Sequence, residues 1–208
     1  MTSTLRRRPA QRRSVERVER MLDECALLLD EVGYDALTTK EVARRAEVPI
    51  GTFYQFFHDK QGLVRALARR NLEAFLQRII TRIPEADLGH WTDLVDLAID
   101  EFVDMKRATP GFAVVDFGEV LTATGDDGKR SLDETHENNV VVAERLRALS
   151  TELLDAPVGP GLDRALLVAV EATDAVLKLA FRTDPGGAPE LIAECKQLVR
   201  RYLADHLP

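Results

Sequence analysis

Only two cysteines occur in the 208 residues, Cys25 and Cys195, far apart and each within a helical pattern. That argues against a disulfide framework and for two buried, reduced thiols in a cytoplasmic setting. No apolar run approaches the roughly 18–20 residues that a membrane span needs. The basic N-terminus, MTSTLRRRPAQRRS, has no apolar stretch behind it, which argues against a secretory signal. Alternation of apolar and polar residues over a useful strand length is missing, so the expected fold class is all-α. The four histidines, His58, His90, His136 and His206, are scattered, and the HENN run at His136–Asn139 lacks the second histidine of a zinc protease helix. Neither a Gly-x-Ser-x-Gly elbow nor a phosphate-binding loop is found, and neither cysteine has a partner at metal-ligand spacing. The acidic pair Asp126–Asp127 lies in a turn-forming stretch and reads as solvated. These gaps argue against an enzyme, a metal site or a bound cofactor.

What is there begins with an uneven charge. The formal net charge is −7, yet residues 1–72 hold 14 Lys and Arg against 10 Asp and Glu, and residues 73–208 hold 14 against 25. The first twenty residues carry seven Arg and two Glu. A polyphosphate responds to the local field within about 10 Å, not to the chain total. A basic head on an acidic body therefore suits a nucleic-acid-binding module joined to something else. The arginine run also reads as a solvated, flexible arm of the kind that touches DNA only when bound.

The stretch from Thr38 to Phe57, TTKEVARRAEVPIGTFYQFF, reads as two short helices joined by a tight turn. Thr38 caps the first, and Glu41 three residues on can return a bond, which is the pattern of a capping box. Val42, Ala43 and Ala46 give it an apolar stripe, and Glu47 and Val48 make the turn. Pro49, with its fixed φ and no N–H, is placed to open the second helix. There Ile50, Phe53 and Phe57 recur at helical spacing as a buried face, leaving Gly51, Thr52, Tyr54 and Gln55 outside. One face gripping a domain while the other enters a major groove is what a helix-turn-helix requires.

The rest of the chain is helical in pattern, with about nine helices in all. Ser14 is placed to cap the first, which stops at Gly33, and Asp59 to cap a fourth that ends before Pro84. Further helices are expected over about Thr92–Ala108, Phe112–Val120, Lys129–Leu154, Asp163–Arg182 and Pro189–His206. Turns are expected near Glu85–His90, Gly125–Gly128, Ala156–Gly161 and Asp184–Gly187. The predicted organisation is a basic arm over 1–13, a helix-turn-helix domain over 14–60, and a helical regulatory and dimerisation domain over 61–208.

From Gly33 to Leu63 the residues GYDALTTKEVARRAEVPIGTFYQFFHDKQGL resemble the DNA-binding domain of TetR-type transcriptional repressors, and the likeness extends over Ser14–Phe75. The features that carry it are Gly-aromatic before the motif, Thr-x-x-x-Val-Ala, Gly-Thr-hydrophobic-Tyr, and Phe57, Asp59 and Lys60. Pro49, Ile50 and Phe56 depart from the usual residues of that pattern. The resemblance implies that Thr39 and Lys40 lie near phosphates, that Thr52 and Tyr54 contact the DNA backbone, and that Gln55 reaches a base edge. It also implies that Lys60 clamps a phosphate at a helix N-terminus. Gly51 permits close backbone approach, and His58 is a neighbouring surface residue within reach of a phosphate.

A reader with one short recognition helix needs a partner copy, so a homodimer on a palindromic operator is expected. Small and apolar residues on the last two helices, Ala165, Ala169, Ala172 and Val176 with Leu191, Cys195, Leu198 and Tyr202, are candidates for that interface, as in the family. The same stripes also suit the monomer's own core. For the body, the resemblance implies an unknown small-molecule effector whose binding shifts the population of DNA-competent states. Trp91, Phe102, Met105, Phe112, Phe117, His136 and Phe181 are pocket candidates, each also suited to core packing. The competing reading is an all-helical adaptor or small-molecule-binding protein whose motif serves protein contacts.

Overall fold

A computed structural model describes residues 7–83, 90–117, 139–149, 151 and 159–207, with side chains from Arg12 onward. Among the described residues the regular structure is helical: α1 (Arg7–Ala36), α2 (Thr39–Arg45), α3 (Ile50–Phe56), α4 (Lys60–Arg82), α5 (Trp91–Ala108), α6 (139–149), α7 (Pro160–Thr183) and α8 (Pro189–Leu203). His136, the turn expected at Gly125–Gly128 and most of the Ala156–Gly161 loop lie outside the described residues. No described helix is long and apolar enough to cross a membrane.

The chain forms two compact units, one of Met1–Asn71 with Pro110–Asp127, the other of Leu72–Thr109 with Gly128–Pro208. The first half of α4 belongs to the first unit and the second half to the second.

In the first unit α1 begins at Arg7, seven residues before the expected cap, so Ser14 is interior to the helix. The break at Gly33 is as expected: its φ of 73° lies in the left-handed region that glycine enters freely, and the run to Ala36 is no longer regular there. Met21, Leu22, Cys25, Leu28 and Leu29 of α1 pack with Val42 and Ala43 of α2, Phe53 of α3, and Leu63 and Leu67 of α4 in one core. Burial pushes the Cys25 thiol up to about 12, so it stays a protonated, unreactive core residue.

That core is completed by a segment the sequence reading assigned elsewhere. The helix expected over Phe112–Val120 is absent from the described part; a single turn forms instead, with Val114 and Val115 amides donating to the Gly111 carbonyl at 3.1 and 2.8 Å. Val115 is fully buried in the first unit's core. Asn71 Nδ2 donates to the carbonyls of Val115 and Asp116 at 2.9 and 3.3 Å, and the Gly111 amide donates to Asp30 Oδ2 at 2.9 Å. Gly111 has φ 74°, and a Cβ there would stand 2.8 Å from the Cα and O of Ala26, so only glycine lets this turn lie on α1.

In the second unit α5 starts with a reciprocal cap. His90 Nδ1 accepts from the Thr92 amide at 3.3 Å, and Asp93 accepts from the His90 amide at 2.9 Å. One core cluster joins Trp91, Ala143, Leu162, Ala165, Leu166, Ala169, Val199 and Leu203; another joins Ile99, Val103, Leu177, Ala180, Ile192 and Cys195. Burial raises the Cys195 thiol to about 11. α8 is pinned to α5 by Arg200 on Asp96 (2.8 Å) and Lys196 on Asp100 (2.5 Å), and it also packs along α7. Glu101 on α5 is fully buried and receives the guanidiniums of Arg78, at 2.6 Å, and Arg82, both on α4. Burial alone would raise its pKa, but the two arginines outweigh it and hold the carboxyl below its usual range.

Candidate nucleic-acid interface

The helix-turn-helix is assembled by short-range rules. Thr38 is extended, and its Oγ1 accepts from the Glu41 amide at 3.2 Å, capping α2 as the sequence implied. The return half of the box is replaced: Glu41 turns forward to Arg44, with contacts of 2.9 and 2.6 Å. That bidentate geometry outcompetes a single bond to an amide. Arg45 crosses to α1 and binds Glu24 at 2.8 Å and Glu31 at 2.6 Å. Both α2 arginines are therefore used within the unit, while Lys40 is exposed with no ion-pair partner among the described residues.

The turn reverses at Glu47, a non-glycine residue at φ 54°. Pro49 precedes the first residue of α3 rather than occupying it, and its carbonyl accepts from the amides of Thr52 (2.8 Å) and Phe53 (3.2 Å). Phe53 is fully buried, with edge contacts to Tyr54 and a tilted contact to Phe57. Burial of that ring stabilises the placement of α3 by about 2–3 kcal/mol. Ile50 is a correction. Expected beside Phe53 and Phe57 in the buried face, it is 40% exposed, because at the first position of a seven-residue helix it projects past the end of the packed side.

The expected contact residues differ in exposure. Gly51, Tyr54 and Gln55 are exposed, Thr52 and Thr39 half-buried, and His58 almost entirely in solvent. The Cβ direction of Gly51 meets nothing within 4 Å. The hydroxyls of Tyr54 and Thr39 lie 3.2 Å apart, which joins the outer side of α3 to the first residue of α2; spacing gave no sign of this pair. Asp59 caps α4 by accepting from the Gly62 amide at 2.7 Å. That bond, with the His58 ring second, holds its carboxyl below the usual range.

Lys60 has an internal task the sequence reading missed. Its Nζ donates to the Tyr34 carbonyl at 3.0 Å, approaches that of Asp35 at 3.5 Å, and lies 4.2 Å from the centre of the Tyr34 ring. It thus satisfies carbonyls left open where α1 ends and stacks its charge on an aromatic face. The sequence signal was the Gly-aromatic pair at Gly33–Tyr34.

The described pocket candidates fall in both units, and the interface candidates differ in exposure. Phe112 and Phe117 pack edge to face, with ring centres 5.4 Å apart, in the first unit, whereas Trp91, Phe102, Met105 and Phe181 belong to the second. A cleft of about 690 Å³ in the second unit lies between α6 and the start of α7, lined by Val140, Ala143, Glu144, Arg147, Pro160, Asp163, Arg164 and Leu167, and contains none of them. Of the interface candidates, Ala165, Ala169 and Cys195 are buried in the chain's own core, since their helical phase points them between α7 and α8. Ala172, Val176, Leu191 and Tyr202 are half-buried, and Leu198 is 45% exposed. Val168 (44%) and Leu179 on α7 are exposed too.

Comparison with known proteins agrees with this arrangement. Residues 22–67 match the model for bacterial regulatory proteins of the tetR family, and residues 89–207 match the tetracyclin repressor-like C-terminal domain. A TetR-family transcriptional regulator of Streptomyces coelicolor is 43% identical, with 94% of this chain and 99% of that chain covered and a TM-score of 0.80. The HTH-type transcriptional repressor KstR of Rhodococcus jostii (strain RHA1) is 46% identical over 55 residues, 26% of each chain. YvkB of Bacillus subtilis (strain 168), an uncharacterized HTH-type transcriptional regulator, is 49% identical over 49 residues, 24% of this chain and 26% of that protein. These curated relatives are thus matched over about a quarter of their length. The fold is shared with FadR from Bacillus subtilis in complex with stearoyl-CoA, at 16% identity, with 89% of this chain and 97% of that chain covered and a TM-score of 0.62. With both halves of the described architecture matched, this chain belongs to the TetR family of transcriptional regulators.

Proposed function

We propose that the protein is a ligand-responsive repressor that binds a palindromic operator as a homodimer, with α3 in the major groove. The observation that carries this reading is α3 itself. Phe53 and Phe57 anchor one side, and Gly51, Tyr54 and Gln55 are left facing solvent on a helix-turn-helix. In this reading Lys40, Thr39, Thr52 and Tyr54 meet phosphates, with His58 at the margin, and Gln55 bonds a base edge. Lys60 acts mainly by fixing the end of α1, with its remaining N–H free for a phosphate.

The dimer reading is supported by the exposed apolar line of Val168, Leu179 and Leu198, flanked by Ala172, Val176, Leu191 and Tyr202. Two-fold symmetry then places the recognition helices about 34–36 Å apart or slightly more. An effector that binds the second unit is supported by family membership and by fold neighbours solved with stearoyl-CoA and with triclosan. Trp91, Phe102, Met105 and Phe181 are the side chains proposed to face it.

A gel-shift with the full-length protein and the region upstream of its own gene tests the reading, with heparin as a polyanion competitor. The expected outcome is a sequence-dependent shift that survives heparin. If no sequence is preferred at any salt concentration, the adaptor reading takes its place. The mass in solution at micromolar protein checks the dimer, and a monomer removes it.

A further inference from the structure

We infer that Ile50 is a specificity-determining residue that packs against the C5-methyl group of a thymine, and that the base pairs beneath α3 are A·T. This rests on the DNA-reading role proposed above. α3 carries no Asp, Glu, Lys or Arg from Ile50 to Phe56. Guanine is read in the major groove chiefly by Arg or Lys, and cytosine by a carboxylate, so α3 lacks the charged side chains that most often read either and has only the unselective hydroxyl of Thr52 for them. What it offers instead is Gln55, which suits adenine, and apolar surface, which suits the thymine methyl. The apolar surface is also placed for it. In a helix-turn-helix the N-terminal residues of the recognition helix approach base edges. Ile50 is the first residue of α3 and stays 40% exposed in a unit that buries Val42, Val48, Phe53 and Phe57 around it. Its neighbour Gly51 has open space where a Cβ would be, so a base edge meets no steric obstacle beside it. A β-branched chain also has one strongly preferred rotamer in a helix, so little side-chain freedom is lost on contact.

The test uses the full-length chain. Random duplex DNA is first enriched for binding, and each thymine of the resulting half-site is then replaced by deoxyuridine, which removes the methyl and nothing else. At one thymine per half-site the unmodified protein should lose about fourfold in affinity for each methyl, about fifteenfold for both. Ile50→Ala should bind the thymine and uracil duplexes about equally, and Ile50→Val should keep most of the discrimination. An exposed position makes both variants compatible with folding, which circular dichroism checks. The inference is overturned if Ile50→Ala retains full sensitivity to deoxyuridine at every position, or if the enriched half-site has G·C pairs at its centre. If no sequence is enriched at all, the DNA-reading function itself is wrong, a result distinct from the other two.

Discussion

The two units solve the same problem, burying helices of ordinary amphipathicity, in different ways. The first packs α1, α2, α3 and the start of α4 around a single core and closes it with a turn from far along the chain, Gly111–Val115. The second packs α5, α7 and α8 through two clusters, with Ala165, Ala169 and Ala180 buried and ion pairs joining α5 to α8. It also leaves Val168, Leu179 and Leu198 in solvent. A unit with a single fixed core presents a shaped surface. Exposed apolar side chains occur in both units and are proposed to meet different partners: Ile50 of the first meets DNA, and Val168, Leu179 and Leu198 of the second meet a second copy.

The largest effect is expected at the first unit's closure. Gly111→Ala puts a Cβ against the Ala26 backbone at a positive φ and should cost about 3 kcal/mol, read as a lower urea midpoint. A midpoint unchanged by the substitution would mean that the turn is not part of that core.

Next in size is the second unit's outer face. Leu198→Glu should leave helicity intact while weakening self-association about a hundredfold, seen by sedimentation over a protein concentration series. If that variant stays as associated as the parent, the apolar line is not the interface.

A smaller effect is expected at Glu101. Glu101→Gln removes the charge that Arg78 and Arg82 share and should cost about 2 kcal/mol at pH 7. The sign with pH follows from its lowered pKa. The stabilisation is fully present above the unfolded value of 4.5 and is lost as pH falls below it, through the folded value. Acid titration of unfolding should therefore show a steeper loss below pH 4.5 in the parent than in the variant.

The smallest effect should go the other way. Glu47→Gly removes a left-handed strain in the motif turn and should stabilise by about 0.5–1 kcal/mol, a slight rise in midpoint. Loss of stability there would show that the Glu47 side chain has a role beyond the turn.

Where the chain's neighbours in space are also neighbours in sequence, reading the residues was enough. The Thr38 cap, the turn at Glu47–Val48 and the Asp59 cap depend on contacts within about one helical turn, and the spacing of Phe53 and Phe57 marks their side of α3 over the same range. Ile50 escaped because periodicity gives a direction around a helix and not the distance to its end. Phe112 and Phe117 escaped for another reason: the turn that carries them is fastened by Asp30, 81 residues earlier, and by Asn71. On α7 the apolar positions nearly circle the helix and on α8 they form one broad stripe, so the pattern could not separate buried Ala165 and Cys195 from exposed Val168 and Leu198.

The sequence by itself determined an all-helical chain with a basic head, a two-helix motif and the caps that delimit it, since propensity, capping and charge act over a few residues. Tertiary structure alone decided which distant turn completes the first core, which cations are spent on neighbouring carboxylates and carbonyls, and which small residues lie inside. Those outcomes depend on three-dimensional packing between segments many residues apart, where an apolar face can meet more than one partner and only mutual fit selects one.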